Sequence, residues 1–122
     1  MWKSIIVVAL GGAAGSVLRF LVGFVMKEWF GQQFPWGTLA VNVVGCLLIG
    51  LLYGLVARNA IHSALSLLLI TGFCGGFTTF SSFAYENISL LKENGFLHLL
   101  LYTGFSVILG FLATAAGLYL VK

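Results

Sequence analysis

One short stretch of the sequence combines residue types that a simple membrane anchor does not need. It runs from Gly75 to Phe83, has the sequence Gly-Gly-Phe-Thr-Thr-Phe-Ser-Ser-Phe, and lies inside a long apolar segment. A Gly-Gly pair lowers helix propensity and frees backbone groups, which lipid tolerates only where protein or a water-filled cavity satisfies them. We therefore expect this stretch to be buried in a bundle or an assembly and to contact something small and polar.

Helical spacing divides the side chains of this stretch into two predicted faces. Phe77, Phe80 and Phe83 recur at every third position and are predicted to share one face. The adjoining predicted face carries hydroxyl groups, those of Thr78, Ser81, Ser82 and Tyr85. The alternative is that the phenylalanines face lipid and that the hydroxyls bond back to their own helix.

Polar residues inside the other apolar segments are few. Asn42 must either hydrogen-bond across helices, the commoner case, or face a wet cavity, where its NH2 group can donate to an anion. Arg19 is expected in the bundle interior or a vestibule, because a guanidinium within a span is costly, although snorkelling to the membrane surface is the alternative. Glu86 is the one acidic residue near a span interior, and we interpret it as interfacial.

The composition identifies an integral membrane protein. Of the 122 residues, 61% are hydrophobic and 7% are charged, whereas soluble domains carry about 25% charged residues. Four apolar segments, roughly 4–26, 34–56, 60–91 and 96–121, are each long enough to cross a bilayer as a helix. The sequence predicts one all-α transmembrane domain over residues 1–122, with the third helix interrupted around residues 72–76.

The residue set excludes several classes of function. No nucleophile, base and orienting acid can be assembled, and the chain has no metal-ligand cluster and no phosphate-binding loop, so we expect no enzyme. Each predicted helix nevertheless carries small or polar residues, and hydrogen-bond donors outnumber acids within the spans. A 13.1 kDa chain cannot enclose a wide conduit alone. These features favour a narrow anion path in an oligomer.

The basic residues are almost evenly divided between the two sides of the membrane. Lys3, Arg58 and Lys122 fall on one side of a four-span chain, and Lys27 and Lys92 fall on the other. Orientation normally follows a clear excess of Lys and Arg on the cytoplasmic side. The weak bias predicts insertion in both orientations, for which the simplest assembly is an antiparallel homodimer with its two-fold axis in the membrane plane.

Three motifs together resemble the Fluc (CrcB) family of fluoride channels. They are Gly11-Gly12-Ala13-Ala14-Gly15 with Arg19, Gly37-Thr38-Leu39-Ala40-Val41-Asn42 with Gly45, and the stretch from Gly75 to Phe83. The resemblance covers essentially the full chain. It implies a dual-topology homodimer that exports fluoride passively through two pores, in agreement with the balanced charges.

The resemblance also implies roles for individual residues. Phe80 and Phe83 correspond to the aromatic residues that contact fluoride, and Asn42 to the pore amide. Polar positions lining the pore are implied at Thr79, Ser81 and Tyr102. Backbone carbonyls of Gly75 and Thr78, from both chains, are implied to hold a central structural Na+. Vestibule or structural roles are implied for Arg19 and Thr38.

The function predicted from the sequence is a fluoride-selective channel that lowers cytoplasmic fluoride, in the inner membrane of a bacterium. Its expected partners are fluoride, lipid and a second copy of the chain, with Na+ as the structural ion and no nucleic acid. Two alternatives are a small four-helix drug or cation antiporter and a non-transporting accessory subunit. Antiporters of that size depend on a deeply buried Glu in helix one, which this chain lacks.

Overall fold

The computed structural model describes all residues, 1–122, and is entirely helical. Its elements, in chain order, are α1 (Trp2–Phe30), α2 (Trp36–Ala57), α3 (Ser63–Ser66), a π-helix (Leu67–Cys74), α4 (Gly75–Phe77), α5 (Ser81–Asn94) and α6 (Phe96–Leu120). Four stretches are long and apolar enough to cross a membrane: Trp2–Phe30, Trp36–Ala57, Ser63–Asn94 and Phe96–Leu120. The predicted all-helical, four-span architecture is confirmed, with boundaries a few residues from those expected.

The third span is broken, but later than the glycines predicted. Residues 72–76 are helical, and the helix stops at Thr78, whose backbone is extended (φ −89°, ψ 160°). Residues Thr78 to Phe80 form the break, and α5 begins at Ser81. Gly72 and Gly76 instead allow α1 to approach, since a Cβ on Gly76 would overlap the backbone of Gly12. Close packing thus outweighs the low helix propensity of glycine.

The displaced break changes the predicted phenylalanine face. Phe77 is the last residue of α4, whereas Phe83 lies in α5, so one helical periodicity does not connect them. Phe77 is 4% exposed and stacks on Phe73, with ring centroids 5.4 Å apart. Phe80 is 78% exposed. The prediction of a single stripe of Phe77, Phe80 and Phe83 is therefore wrong, because Phe77 belongs to the packing core.

Small residues bring the spans into backbone contact, as two of the glycines show. A Cβ on Gly15 of α1 would overlap the carbonyl oxygen of Phe73 in the π-helix. A Cβ on Gly50 of α2 would overlap the carbonyl oxygen of Thr114 in α6. These contacts are the close helix approach that small-xxx-small motifs permit in membranes. They fix the first part of the third span against α1, and α2 against α6.

Most of the chain's apolar surface is not buried within the chain. Only 15 of the 122 residues are buried, and the exposed hydrophobic residues occur along every span. At one end of the bundle Arg58 donates through Nη1 to the carbonyl of Val121 at 3.0 Å, so the ends of α2 and α6 lie together there. That end carries Lys3, Arg58 and Lys122, and the opposite end carries Lys27 and Lys92, as the sequence predicts.

Candidate functional site

Asn42 is bonded to the backbone of the break. Its Nδ2 donates to the carbonyl of Thr79 at 2.9 Å, and its Oδ1 accepts from the Thr79 amide at 2.8 Å. One side chain thus satisfies both backbone groups of a residue that has left the helix, as irregular backbone at membrane depth requires. The second Nδ2 hydrogen makes no hydrogen bond within the chain, so Asn42 retains one free donor.

Three further hydrogen bonds define the two ends of the break. Arg19 of α1 donates through Nε to the carbonyl of Gly76 at 3.0 Å. The Thr78 hydroxyl donates to the carbonyl of Cys74 at 2.8 Å. On the other side, the Thr79 hydroxyl accepts from the amide of Ser82 at 3.1 Å, as an N-cap residue does at the start of a helix. The guanidinium of Arg19 therefore bonds within the bundle, at the end of the first part of the third span.

A carboxylate joins three helices beside the break. The oxygens of Glu86 in α5 accept from the Thr38 hydroxyl of α2 and from the Tyr102 phenol of α6, each at 2.8 Å. Tyr102 has no exposed surface, and Glu86 is half-buried. The interpretation of Glu86 as interfacial missed this network. The two charge-assisted bonds fix the carboxylate within the bundle.

Aromatic rings continue from this network towards the break. The ring of Phe83 lies 5.0 Å from that of Tyr102, with an interplanar angle of 53°. Phe80 follows at 5.8 Å from Phe83, at 45°. Such tilted arrangements direct ring edges, which are electropositive, towards neighbouring groups. Phe80, Phe83 and Tyr102 thus form one connected series.

The predicted hydroxyl face is formed only in part, because the break separates Thr78 from Ser81 and Tyr85, which lie one turn apart in α5. The Thr78 hydroxyl bonds back to its own helix, Ser82 is half-buried, and Ser81 and Tyr85 are exposed. The alternative stated for these residues, bonding back to the helix, holds for Thr78. Ser81 lies within 3.3 Å of the Thr79 hydroxyl, so it remains beside the break.

A polar cavity of about 630 Å³ opens beside the break. Its charged lining residues are two cations and two acids, namely Arg19, Lys27, Glu86 and Glu93. Thr38, Thr79 and Ser82 contribute hydroxyls, and the loop after α1 contributes the amides of Gln32 and Gln33. The formal charges of the lining balance, so donor groups rather than net charge give this cavity its capacity for an anion.

A second, open groove of about 520 Å³ also borders the break. Its lining residues include Asn42, Gly75, Thr78, Thr79, Phe80, Phe83 and Ser106. The hydroxyl oxygen of Ser106 is buried and has no hydrogen-bond partner within the chain. Thr79 lines both the polar cavity and this groove. Thr79, whose backbone is hydrogen-bonded to Asn42, therefore lies between the polar cavity and the groove.

The structure brings together most of the residues singled out from the sequence. Asn42, Thr79, Phe80 and Phe83 share the groove, and Thr38 and Tyr102 share the carboxylate of Glu86. Sequence reasoning missed one member of the site, Glu86, which was interpreted as interfacial. Ser106 follows Tyr102 by one helical turn, and the sequence predicts both on one stripe of small and polar residues that could line a path.

The carbonyls of Gly75 and Thr78 suit a cation. Both residues line the groove where the first part of the third span ends, and helix C-terminal carbonyls carry partial negative charge. Gly75 is exposed, and a Cβ there would meet nothing within 4 Å. Backbone oxygens at an interrupted membrane helix are a donor set that fits Na+.

The chain is similar to one family of known proteins over nearly its full length. The family model described as CrcB-like protein, Camphor Resistance (CrcB), matches residues 6–118. A protein of Flavobacterium psychrophilum named "Fluoride-specific ion channel FluC" is 49% identical over 98% of this chain and 98% of its own length. Proteins of the same name from Gloeothece citriformis and Rhizobium johnstonii are 48% and 51% identical, over 97% and 96% of this chain and 96% and 94% of their own lengths.

Proposed function

Because the chain belongs to the CrcB family, whose similar members are named fluoride-specific ion channels, we propose that it is a fluoride channel. It lets fluoride cross the membrane down its own electrochemical gradient, without ATP and without a covalent step. The observation that carries the proposal is the free amide hydrogen of Asn42, which lies with the break and Phe80 along one groove.

The chemistry of passage is the replacement of water around a small anion. Fluoride enters through the polar cavity, where the Arg19 guanidinium and hydroxyl donors offset part of its hydration. At the break, the free hydrogen of Asn42 and the edges of Phe80 and Phe83 take over the remaining contacts. Each group replaces only part of the hydration shell of fluoride. Conduction requires this, because a site that bound fluoride too strongly would not release the ion.

The hydroxyl-bearing residues extend this path on both sides of Thr79. Thr38 and Tyr102 hold the Glu86 carboxylate through their hydroxyl hydrogens, which lowers its effective negative charge towards a passing anion. Ser81 lies beside Thr79, and Ser106 lines the groove with a buried hydroxyl that has no partner within the chain. We assign Thr79 and Ser81 to the lining of the path at the break.

A second copy of the chain closes the groove. The break and the exposed ring of Phe80 lie along an open surface, and lipid does not tolerate unpaired backbone at membrane depth. The near-even division of Lys and Arg between the two ends favours an antiparallel partner. Such a homodimer places two equivalent grooves against protein, each completing a path.

Na+ fits the centre of that dimer. Gly75 and Thr78 of each copy supply carbonyl oxygens, and a two-fold axis beside them doubles the donor set. A bound cation offsets the partial negative charge of two facing helix ends. The role of Na+ is structural, and the fluoride path does not include the Na+ site.

The proposed setting is the cytoplasmic membrane of a bacterium, where the channel lowers internal fluoride. The four long apolar helices make the chain a multi-pass membrane protein. The relatives named above are bacterial proteins, which supports the inner-membrane assignment.

Efflux from liposomes tests the proposal. Purified protein is reconstituted into vesicles loaded with potassium fluoride, and a fluoride electrode records release when a K+ ionophore removes the electrical constraint. We expect rapid ionophore-dependent fluoride release and retention of chloride in parallel vesicles. No release from an assembled protein in Na+ would contradict the channel function and would favour an accessory subunit.

Two matched substitutions of phenylalanine test whether fluoride release depends on the groove. Phe80→Ile removes a ring edge from the groove, and we expect a strong loss of fluoride release with the assembly intact. Phe105→Ile is the control, since Phe105 is about half-exposed and does not line the groove. Equal loss in both variants would show a general effect of removing an aromatic ring.

A further inference from the structure

Two hydrogen bonds link consecutive residues of α5 to consecutive residues of α6. Glu86 accepts from Tyr102, and the next residue, Asn87, accepts through Oδ1 from the Thr103 hydroxyl at 2.9 Å. Asn87 is the one polar residue of the chain that is buried, at 8% exposure. The proposed fluoride path uses the first pair and leaves the second without a function.

Asn87 is also bonded within its own helix. Its Nδ2 donates to the carbonyl of Phe83, one turn earlier, at 3.1 Å. This bond holds the amide in one rotamer, with its oxygen directed at Thr103. Thr103 is β-branched and therefore has few rotamers of its own. The bond between the two short side chains consequently tolerates little movement of one helix against the other.

Consecutive residues of an α-helix project about 100° apart around its axis. The bond from Glu86 alone allows α5 to roll, because the long side chains of Glu86 and Tyr102 can follow the movement. A second, short bond from Asn87 removes that freedom. Any roll of α5 would displace the ring of Phe83, which lies 5.0 Å from that of Tyr102.

We propose that Asn87 and Thr103 are positioning residues that fix the rotation of α5 about its axis and thereby the placement of Phe83 against Tyr102. The inference rests on the proposed fluoride path, since it gives the pair its consequence. Neither residue touches the moving ion. Their bond determines where the ring edge of Phe83 lies in the groove, and therefore how fast each channel conducts and how well it rejects chloride.

The test separates the rate of each channel from the number of working channels. Protein is reconstituted at low density, so that most vesicles contain at most one active unit. The fraction of trapped fluoride released then counts active units, and the rate of release reports conduction per unit. A bond with only a structural role would change the first quantity and leave the second unchanged.

Thr103→Val removes the hydroxyl and keeps the side-chain shape. We expect a per-unit fluoride rate lower by about fivefold, the size of effect expected from one ordinary hydrogen bond, and a lower fluoride-to-chloride ratio. Thr103→Ser restores the donor and should restore both. Thr114→Val is the matched control, because the Thr114 hydroxyl also bonds across helices, to the carbonyl of Cys46, away from α5.

The outcomes distinguish the inference from the proposed function. Absence of fluoride release from the wild-type protein would overturn the function itself. A conducting wild type with Thr103→Val at the same per-unit rate and the same ratio would overturn the positioning role alone. Should Thr103→Val fail to assemble, Asn87→Gln gives a second reading, since it keeps the amide but displaces it by one methylene. An unchanged rate in Asn87→Gln would then overturn the inference.

Discussion

Tyr102 donates a hydrogen bond of 2.8 Å from its phenol oxygen to Oε1 of Glu86, and the two residues are sixteen positions apart on adjacent helices. The other oxygen of the same carboxylate accepts from Thr38 on a third helix. One acidic group is therefore the point at which α2, α5 and α6 are joined. The same group borders the polar cavity, so packing of the bundle and chemistry of the path depend on one contact.

Replacing Tyr102 with Phe should slow fluoride release by about tenfold. The substitution keeps the ring beside Phe83 but removes a hydrogen bond to a charged group, which contributes about 1.5 kcal/mol or more. The Glu86 carboxylate, with one partner fewer, would repel an entering anion more strongly. Efflux per active unit measures the change. Tyr119→Phe is the control, because Tyr119 is 75% exposed. A normal rate in Tyr102→Phe would show that the Tyr102 phenol has no role in the fluoride path.

Asn42→Asp should abolish most fluoride conduction while the assembly persists. An aspartate can still accept from the Thr79 amide, but it cannot donate to the Thr79 carbonyl or to an anion. It also adds a negative charge beside the groove. The efflux assay and size-exclusion chromatography together measure rate and assembly. Asn59→Asp makes the same chemical change in an exposed turn and should leave fluoride efflux unchanged. Normal efflux from Asn42→Asp would contradict the role of the Asn42 amide in the fluoride path.

Gly15→Ala should destabilise the fold by about 1–3 kcal/mol, the usual effect of overpacking. A Cβ there would overlap the Phe73 carbonyl, and the backbone of the π-helix cannot move aside as a flexible side chain could. Thermal unfolding in detergent, followed by chromatography with fluorescence detection, measures the loss. Gly104→Ala provides the comparison, since a Cβ at Gly104 meets nothing within 4 Å. Equal melting of the two variants would show that the α1 contact is not tight.

Removal of Na+ should weaken the assembly. If the carbonyls of Gly75 and Thr78 from two copies share a cation, its loss leaves partial negative charges facing each other. We expect a lower melting temperature and slower fluoride release when K+ or an organic cation replaces Na+ throughout preparation. Restoring Na+ should reverse both effects, with the Gly104→Ala protein treated in parallel as a folded reference. Identical behaviour in all cations would argue against the ion site.

Reporters fused at the C-terminus should show both orientations in one membrane. The three basic residues at one end of the bundle and the two at the other give too small a difference to fix the insertion direction. Paired reporters active only in the cytoplasm and only outside it make the measurement. Ala60→Lys combined with His62→Lys adds two charges in the exposed turn at the more basic end, which raises its excess from one basic residue to three, and should bias the ratio. A single orientation in the unmodified chain would rule out the antiparallel dimer.

The sequence alone determined the architecture and the main candidates. Composition and segment length depend on the transfer of side chains into lipid, which is a local property, so the four spans were predictable. The spacings of Gly11 with Gly15 and of Gly50 with Gly54 are the small-xxx-small pattern that permits close helix approach, and the structure has such contacts at Gly15 and Gly50. Asn42 was singled out because a lone amide in an apolar segment requires a partner, and the structure supplies Thr79.

The tertiary structure decided where the third span breaks and what Glu86 does. Glycine propensity placed the break at residues 72–76, but contact with α1 keeps those residues helical, and the chain leaves the helix at Thr78, where Asn42 supplies hydrogen bonds to Thr79. Phe77 consequently packs in the core and does not share a face with Phe80 and Phe83. Glu86 gained its role from two hydroxyls on other helices. Contacts between distant residues have no period in the sequence, so only the packed bundle determines them.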